Sequence, residues 1–300
     1  MSNHPLTETM LSNRGLPPEI LDHIVALLCL CRYEVRDYRC NSTPGKDELR
    51  RCCLVSKPWI SRTRRYLFAV VSLCNPDDLK AWKKNFPDPS NSPGYYTCTL
   101  NVHCPEIVTA ADAAKGGWIQ GFSHVVHLHL YHLPSYFRDA SPEVSFTPFQ
   151  KISPTLKTLG VRAPFLLHGR VFDLIHSFPL LENITLIRDD DFGDSNPDSG
   201  GIQDVISPPP TSPALTGSLE LSLQGGIAEI IHRLLDLPNG LHFRKLKLRW
   251  FEDENDRSVP GLVMACSETL EYLDIIYYVK GAVCHVYASI KQIANSDLGS

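Results

Sequence analysis

The sequence predicts an α+β chain in two parts: a helical region at residues 16–73, then an irregular α/β solenoid of strand–helix units at residues 95–295. Three observations predict it. An apolar stripe at helical spacing opens the first part. A six-residue pattern, apolar-x-x-apolar-x-apolar, then returns six times at steps of 31, 25, 37, 25 and 27 residues. Between some copies lie further stripes at helical spacing, the arrangement of a repeat array in which each unit is one strand and its connector.

The helical region starts at Leu16-Pro17-Pro18-Glu19, where proline suits a first turn and Glu19 complements the positive end of the helix dipole. Ile20, Ile24, Leu27, Leu28 and Cys31 follow at helical spacing, and Leu21 and Val25 widen the stripe until most of the circumference is apolar. A helix of that kind needs cover on more than one side, so one face is a candidate for another protein. Arg32–Asp47 is polar, with a turn cluster at Asn41-Ser42-Thr43-Pro44-Gly45. A second helix is predicted over Glu48–Lys57, with Leu49, Cys52, Cys53 and Val55 apolar. Pro58 ends or kinks it, and Ser56 is placed to cap the next helix, which runs through Arg62 and Tyr66.

In the second region the pattern stands at Val125/Leu128/Leu130, Leu156/Leu159/Val161, Leu181/Ile184/Leu186, Phe243/Leu246/Leu248 and Leu270/Leu273/Ile275, with Leu219–Leu223 a less regular copy. Its alternating tail places two side chains on one face of a short strand. Val171, Leu174, Ile175 and Phe178 form one intervening helical stripe; Ile227, Ile230, Ile231, Leu234 and Leu235 form another. This is the grammar of a leucine-rich-repeat solenoid. A doubly wound domain with a parallel sheet is the competing architecture, but no glycine-rich phosphate loop follows any strand. Asp189–Pro213, with an acidic run and Pro208-Pro209-Pro210, reads as an excursion between two units.

Composition narrows the class. The chain has 43% hydrophobic and 21% charged residues, ordinary for a folded protein, and a formal net charge of −4, which does not point to nucleic acid. Charge is uneven: residues 1–90 carry 14 Lys and Arg against 10 Asp and Glu, a net of +4, and the remainder carries 15 against 23, a net of −8. Met1–Gly15 lacks the apolar core of an export signal, and Ile20–Cys31 is too short and polar to span a bilayer. The expectation is a cytoplasmic or nuclear chain, without a membrane partner, whose ten cysteines stay reduced.

Leu16-Pro17-Pro18-Glu19-Ile20-Leu21 with Ile24 and Leu27-Leu28 resembles the opening helix of an F-box, and Leu49–Trp59 (LRRCCLVSKPW) resembles its second half. The continuation Arg62-x-Arg64-Arg65-Tyr66-Leu67-Phe68 resembles the large fungal branch of F-box proteins. Pro93–Val102, Trp118–Leu130 and Phe149–Val161 resemble the first repeat units of that branch. About twenty residues separate the two halves here, more than is usual. The resemblance implies a non-catalytic substrate receptor, with Leu16, Pro17, Ile20, Leu21, Ile24, Leu28, Leu54, Val55 and Trp59 binding a Skp-type adaptor and, through it, a cullin–RING ubiquitin ligase. An unidentified protein target would bind the repeats. The alternative is a leucine-rich-repeat interaction scaffold whose helices are only a cap.

Other chemistry has weaker support. His124, His127, His129 and His132 raise the question of zinc, since His127 and His129 share a strand face, but no cysteine or carboxylate pair lies nearby in sequence. No CxxC is present, and Asp189-Asp190-Asp191 with Asp194 lacks the spacing of a calcium loop. No nucleophile elbow, phosphate loop or metalloprotease motif occurs, so neither metal nor cofactor is expected. For the target, the outward strand positions stand out at Lys245, Lys247 and Arg249, three cations alternating along one strand, with Tyr272 on the next. They suit an acidic or phosphorylated segment, or simply solubilise the strand.

Overall fold

The computed structural model describes residues 19–20, 23–24, 44–55, 57–103, 105, 108–131, 146–162, 170–187, 215–223, 227–251, 258–279 and 282–289. The chain divides into two units, Met1–Leu67 and Phe68–Ser300.

In the first unit, α1 spans Pro44–Val55 and α2 spans Lys57–Leu67. The helix expected from Glu48 starts four residues earlier, because Pro44 serves as a first-turn residue rather than as part of a turn. Pro58 sits in the first turn of α2, where its missing N–H costs nothing. Ser56, the expected cap, lies outside the described residues, as do Leu16, Pro17, Leu21 and Leu28. Leu49 is buried, and Thr63, fully buried, donates its hydroxyl to the carbonyl of Trp59 at 2.5 Å.

The second unit is mixed α/β around a nine-stranded sheet: β1 Val70–Leu73, β2 Thr99–Val102, β3 His127–Tyr131, β4 Thr158–Arg162, β5 Asn183–Ile187, β6 Ser218–Leu223, β7 Lys245–Phe251, β8 Tyr272–Val279 and β9 Ala282–Ser289. Each strand lies beside its predecessor in sequence, parallel from β1 to β8. The order never reverses, so the sheet has no switch point of the doubly wound kind. The connectors hold α3 Pro76–Asn85, α4 Ala110–Ala113, α5 Arg170–His176, α6 Ile227–Leu235, α7 Ser258–Ala265 and several 3-10 turns.

Register turns the six-residue pattern into two apolar ladders. Val71, Leu100, Leu128, Leu159, Ile184, Leu219 and Leu246 align along one, and Leu73, Val102, Leu130, Val161, Leu186, Leu221 and Leu248 along the other. From Leu100 onward no member of either ladder is more than 2% exposed. The leading residues Val125, Leu156, Leu181 and Phe243 are as deeply buried, and the side chains between the ladder members face the other way.

Three boundaries differ from the sequence reading. Val70–Leu73 is the first strand of the sheet rather than the end of the helical region, so the division falls at Leu67/Phe68, not at residues 73 and 95. Phe68, Val71 and Leu73 are themselves a copy of the repeat pattern, hidden by the helical motif just before them. The β2 copy carries Thr97 at its leading position, fully buried with its hydroxyl donating to the Phe68 carbonyl at 2.9 Å, which breaks the pattern in sequence. At the far end β9 turns back antiparallel on β8, so the series of parallel units closes at β8 rather than running to residue 295.

The sixth copy is also out by two residues: Leu219, not Leu221, aligns with Ile184 and Leu246, giving steps of 35 and 27 residues. Asn183 fixes that register after the long excursion. Its Oδ1 accepts from the Ser218 N–H and the Ser218 hydroxyl, each at 2.9 Å. A Cβ at Gly217 would collide with that same Oδ1, so glycine is required there.

Local chemistry explains α3. Asn75 caps it by accepting from the Asp78 N–H, Pro76 opens it, Asp77 and Asp78 fill its first turn, and Lys83 and Lys84 fill its last. Its buried Trp82 meets Phe68, Phe86 and Phe122 in an aromatic cluster, and Leu79 is buried in the same core. Lys83 reaches α4, where its ammonium lies 2.6 Å from Asp112 Oδ1. Burial pushes the Asp112 carboxyl up, yet the hydrogen bonds from Lys83 and from the Thr109 N–H outweigh it and hold the carboxyl below its usual range.

Candidate binding surfaces

Two surfaces follow from these elements. The first belongs to the helical unit. Leu54, in the last turn of α1, is 86% exposed, and Ile20 is 47% exposed; both are among the residues that the sequence resemblance singles out. Ile24 and Trp59 are half-buried, and Val55 ends the α1 backbone. Below the surface Cys52 is half-buried, and burial together with the neighbouring Cys53 and Glu48 pushes its thiol pKa up, away from reactive thiolate.

The second is the sheet face opposite the ladders, whose side chains form three rows. The first runs Val70, Thr99, His127, Thr158, Asn183, then Lys245 and Tyr272. The middle row runs Ser72, Asn101, His129, Gly160, Thr185, Glu220, Lys247, Asp274. The third runs Tyr131, Arg162, Ile187, Ser222, Arg249, Ile276.

The rows divide the face into two chemistries. At β2–β4 it is ringed and, apart from Arg162 in the third row, carries no acid or base stronger than imidazole: His103 stacks on Tyr131 with centroids 4.5 Å apart, and His129 lies 6.3 Å from Tyr131 at a near-parallel angle. Gly160 makes room for the His129 ring, since a Cβ there would collide with Nδ1. Burial, with the nearby His127, pushes the His129 pKa down to about 4, so the ring is neutral near pH 7. Burial also lowers His127, and lowers His103 against the opposing pull of Asp78. His127 and His129 do share a face, as their spacing requires. Among the described residues, however, no three His, Cys, Asp or Glu groups converge to hold a metal ion.

At β6–β9 the face is charged. Lys245, Lys247 and Arg249 share it with Tyr272, which is the register partner of Lys245. The middle cation of the three is paired. The Lys247 ammonium is 3.0 Å from Glu220 Oε1, and Asp274 flanks it on the other side. Asp274 in turn lies 2.7 Å from His285 Nε2 on β9. Reading along one strand shows its cations; only the register shows the carboxylates contributed by the strands on either side.

The six described cysteines, Cys52, Cys53, Cys74, Cys98, Cys266 and Cys284, form no disulfide. No described helix is long and apolar enough to cross a membrane. No family model, no curated protein and no solved structure matches this chain.

Proposed function

We propose that the chain is a non-catalytic substrate receptor of the F-box type, acting in the cytoplasm or nucleus. Its helical unit binds a Skp-type adaptor and, through it, a cullin–RING ubiquitin ligase. Its strand units form an irregular leucine-rich-repeat-like solenoid that holds a protein target on the open sheet face. One observation carries the reading: within the F-box-like motif, Leu54 is left 86% exposed at the end of a helix whose Leu49 is buried. Fully burying a leucine is worth about 1.5–3 kcal/mol, so such a side chain is a natural anchor for a partner's groove. The sequential parallel sheet, apolar on one face and polar on the other, suits a scaffold that displays side chains for recognition.

The test is co-elution of the full chain with a purified Skp-type adaptor in size-exclusion chromatography. A stoichiometric complex is expected, weakened by Leu16→Ala with Pro17→Ala and lost with Leu54→Glu. If the intact chain and the adaptor elute separately, the receptor reading fails and the chain is an interaction scaffold without a ligase link.

A further inference from the structure

Strand β7 carries its three cations in three different settings. Lys245 is exposed and lies in register between Ser218 and Tyr272, neither of which is charged. Lys247, in the middle row, lies between Glu220 and Asp274 and is ion-paired to Glu220. Arg249 lies between Ser222 and Ile276. Among the described residues, neither Lys245 nor Arg249 has a hydrogen-bonding or ion-pairing partner, and Arg249 Nε is buried from water with no acceptor. Along β7 the surface therefore reads positive, then a lysine between two carboxylates, then positive.

Arg249, lying between Ser222 and Ile276, has no described carboxylate beside it, so its charge is left uncompensated on this face and attracts an anionic partner. Residues four apart on a strand point the same way and lie about 13–14 Å apart, the same spacing as residues four apart in any extended peptide. A partner lying along β7 thus meets Lys245 and Arg249 with two of its own side chains, and the middle row with the one between. There Lys247 is already paired to Glu220 and flanked by Asp274, itself in contact with His285, so a third acid finds no free cation.

We propose that β7 holds an extended acidic segment of the target, with one carboxylate on Lys245 and a second, four residues on, on Arg249. The residue midway between them is uncharged or basic and sits over Glu220, Lys247 and Asp274. The assignment rests on the reading of the open face as the surface that holds the target. It names the sequence pattern this face selects: acid, three residues of which the central one is not acidic, acid. The guanidinium takes its carboxylate through two N–H groups, and the net charge of −8 over residues 91–300 discourages acidic segments elsewhere on the chain.

The experiment uses the full chain and fluorescently labelled nine-residue peptides in an anisotropy titration at low salt. One peptide carries glutamates at i and i+4 on an alanine–threonine background, one carries them at i and i+3, and one adds a third glutamate at i+2. The first should bind about tenfold or more tighter than the second, a difference of about 1.4 kcal/mol. The third should bind no better than the first despite its extra charge. Lys245→Gln and Arg249→Gln should each erase the preference, with thermal melts showing the variants folded. Because Lys245 is exposed, its variant keeps the test valid even if Arg249→Gln unfolds. Equal affinity for the first two peptides, a preference that survives Lys245→Gln, or no binding of any peptide overturns the proposal. Adaptor capture is measured on the same preparations. Capture without peptide binding sinks the acidic-segment assignment alone, and peptide selectivity without capture sinks the ligase reading alone.

Discussion

The helical unit and the sheet unit handle apolar side chains in opposite ways. In the sheet unit nearly every patterned leucine, isoleucine and valine is inside, on two ladders that run from strand to strand, and the outward rows are mostly rings, hydroxyls, amides and charges, with Val70, Ile187 and Ile276 the aliphatic members. In the helical unit Leu49 is the one buried hydrophobic among the described residues, while Ile20 and Leu54 are outside. Each strand of the sheet lies beside its predecessor, so its ladder residues are buried in one core with those of the strands on either side. Among the described residues of the helical unit, Ile20 and Leu54 are exposed, and both belong to the set proposed above to bind an adaptor. Side chains of the first unit should therefore matter chiefly for binding, and ladder side chains of the second chiefly for stability.

Four changes sharpen or break that contrast. The largest effect belongs to the ladders: Leu128→Ala or Leu159→Ala, each at a position with no exposed surface, should cost about 2–5 kcal/mol in chemical denaturation and leave adaptor capture by the remaining folded protein intact. A cost below about 1 kcal/mol would mean the ladders are not the core. Next comes pH. His129 titrates near 4 when folded and near 6.5 when unfolded, so between those values the unfolded chain binds more protons and stability falls as pH drops. The loss should approach 3 kcal/mol by about pH 4, as an upper figure from about 1.4 kcal/mol per pH unit, and His129→Gln should flatten the profile.

Third, Gly160→Ala should destabilise by about 1–3 kcal/mol, because the new methyl group meets the His129 ring. His129→Ala in the same chain should restore most of that loss, and a double-mutant cycle showing no coupling would refute the contact. The smallest stability effect is expected at Leu54→Glu, within about 0.5 kcal/mol because the side chain is already in water. Its effect on adaptor capture should nonetheless exceed that of any ladder variant that stays folded.

Sequence legibility follows the same division. The ladders were readable because both partners of each contact carry the same short pattern, and the pattern is periodic. Strand β1 was hidden because Phe68, Val71 and Leu73 directly follow the helical motif; β2 lies in the unit that the resemblance picked out at Pro93–Val102, but escapes the apolar pattern because a buried threonine replaces the leading residue. The α3 helix is announced by Asn75-Pro76-Asp77-Asp78, a capping signal that stands outside the repeat pattern. On the open face the three cations of β7 were legible along their own strand. The Lys247–Glu220 pair joins residues 27 apart, and the Asp274–His285 contact depends on a hairpin reversal, so neither follows from a local reading. Gly160 is a similar case: its purpose is the His129 ring on the neighbouring strand, and nothing in the adjacent residues points to it.

The central claim is that the exposed apolar surface of the helical unit is an adaptor-binding site, and hydrogen exchange tests it most directly. The full chain is incubated in deuterated buffer with and without a saturating purified Skp-type adaptor, and protection is read peptide by peptide. The account predicts slowed exchange over residues 44–67, with the strands from Val70 to Val279 unchanged, and loss of that protection in Leu54→Glu. Unchanged exchange over residues 44–67, or protection confined to the sheet, would contradict it.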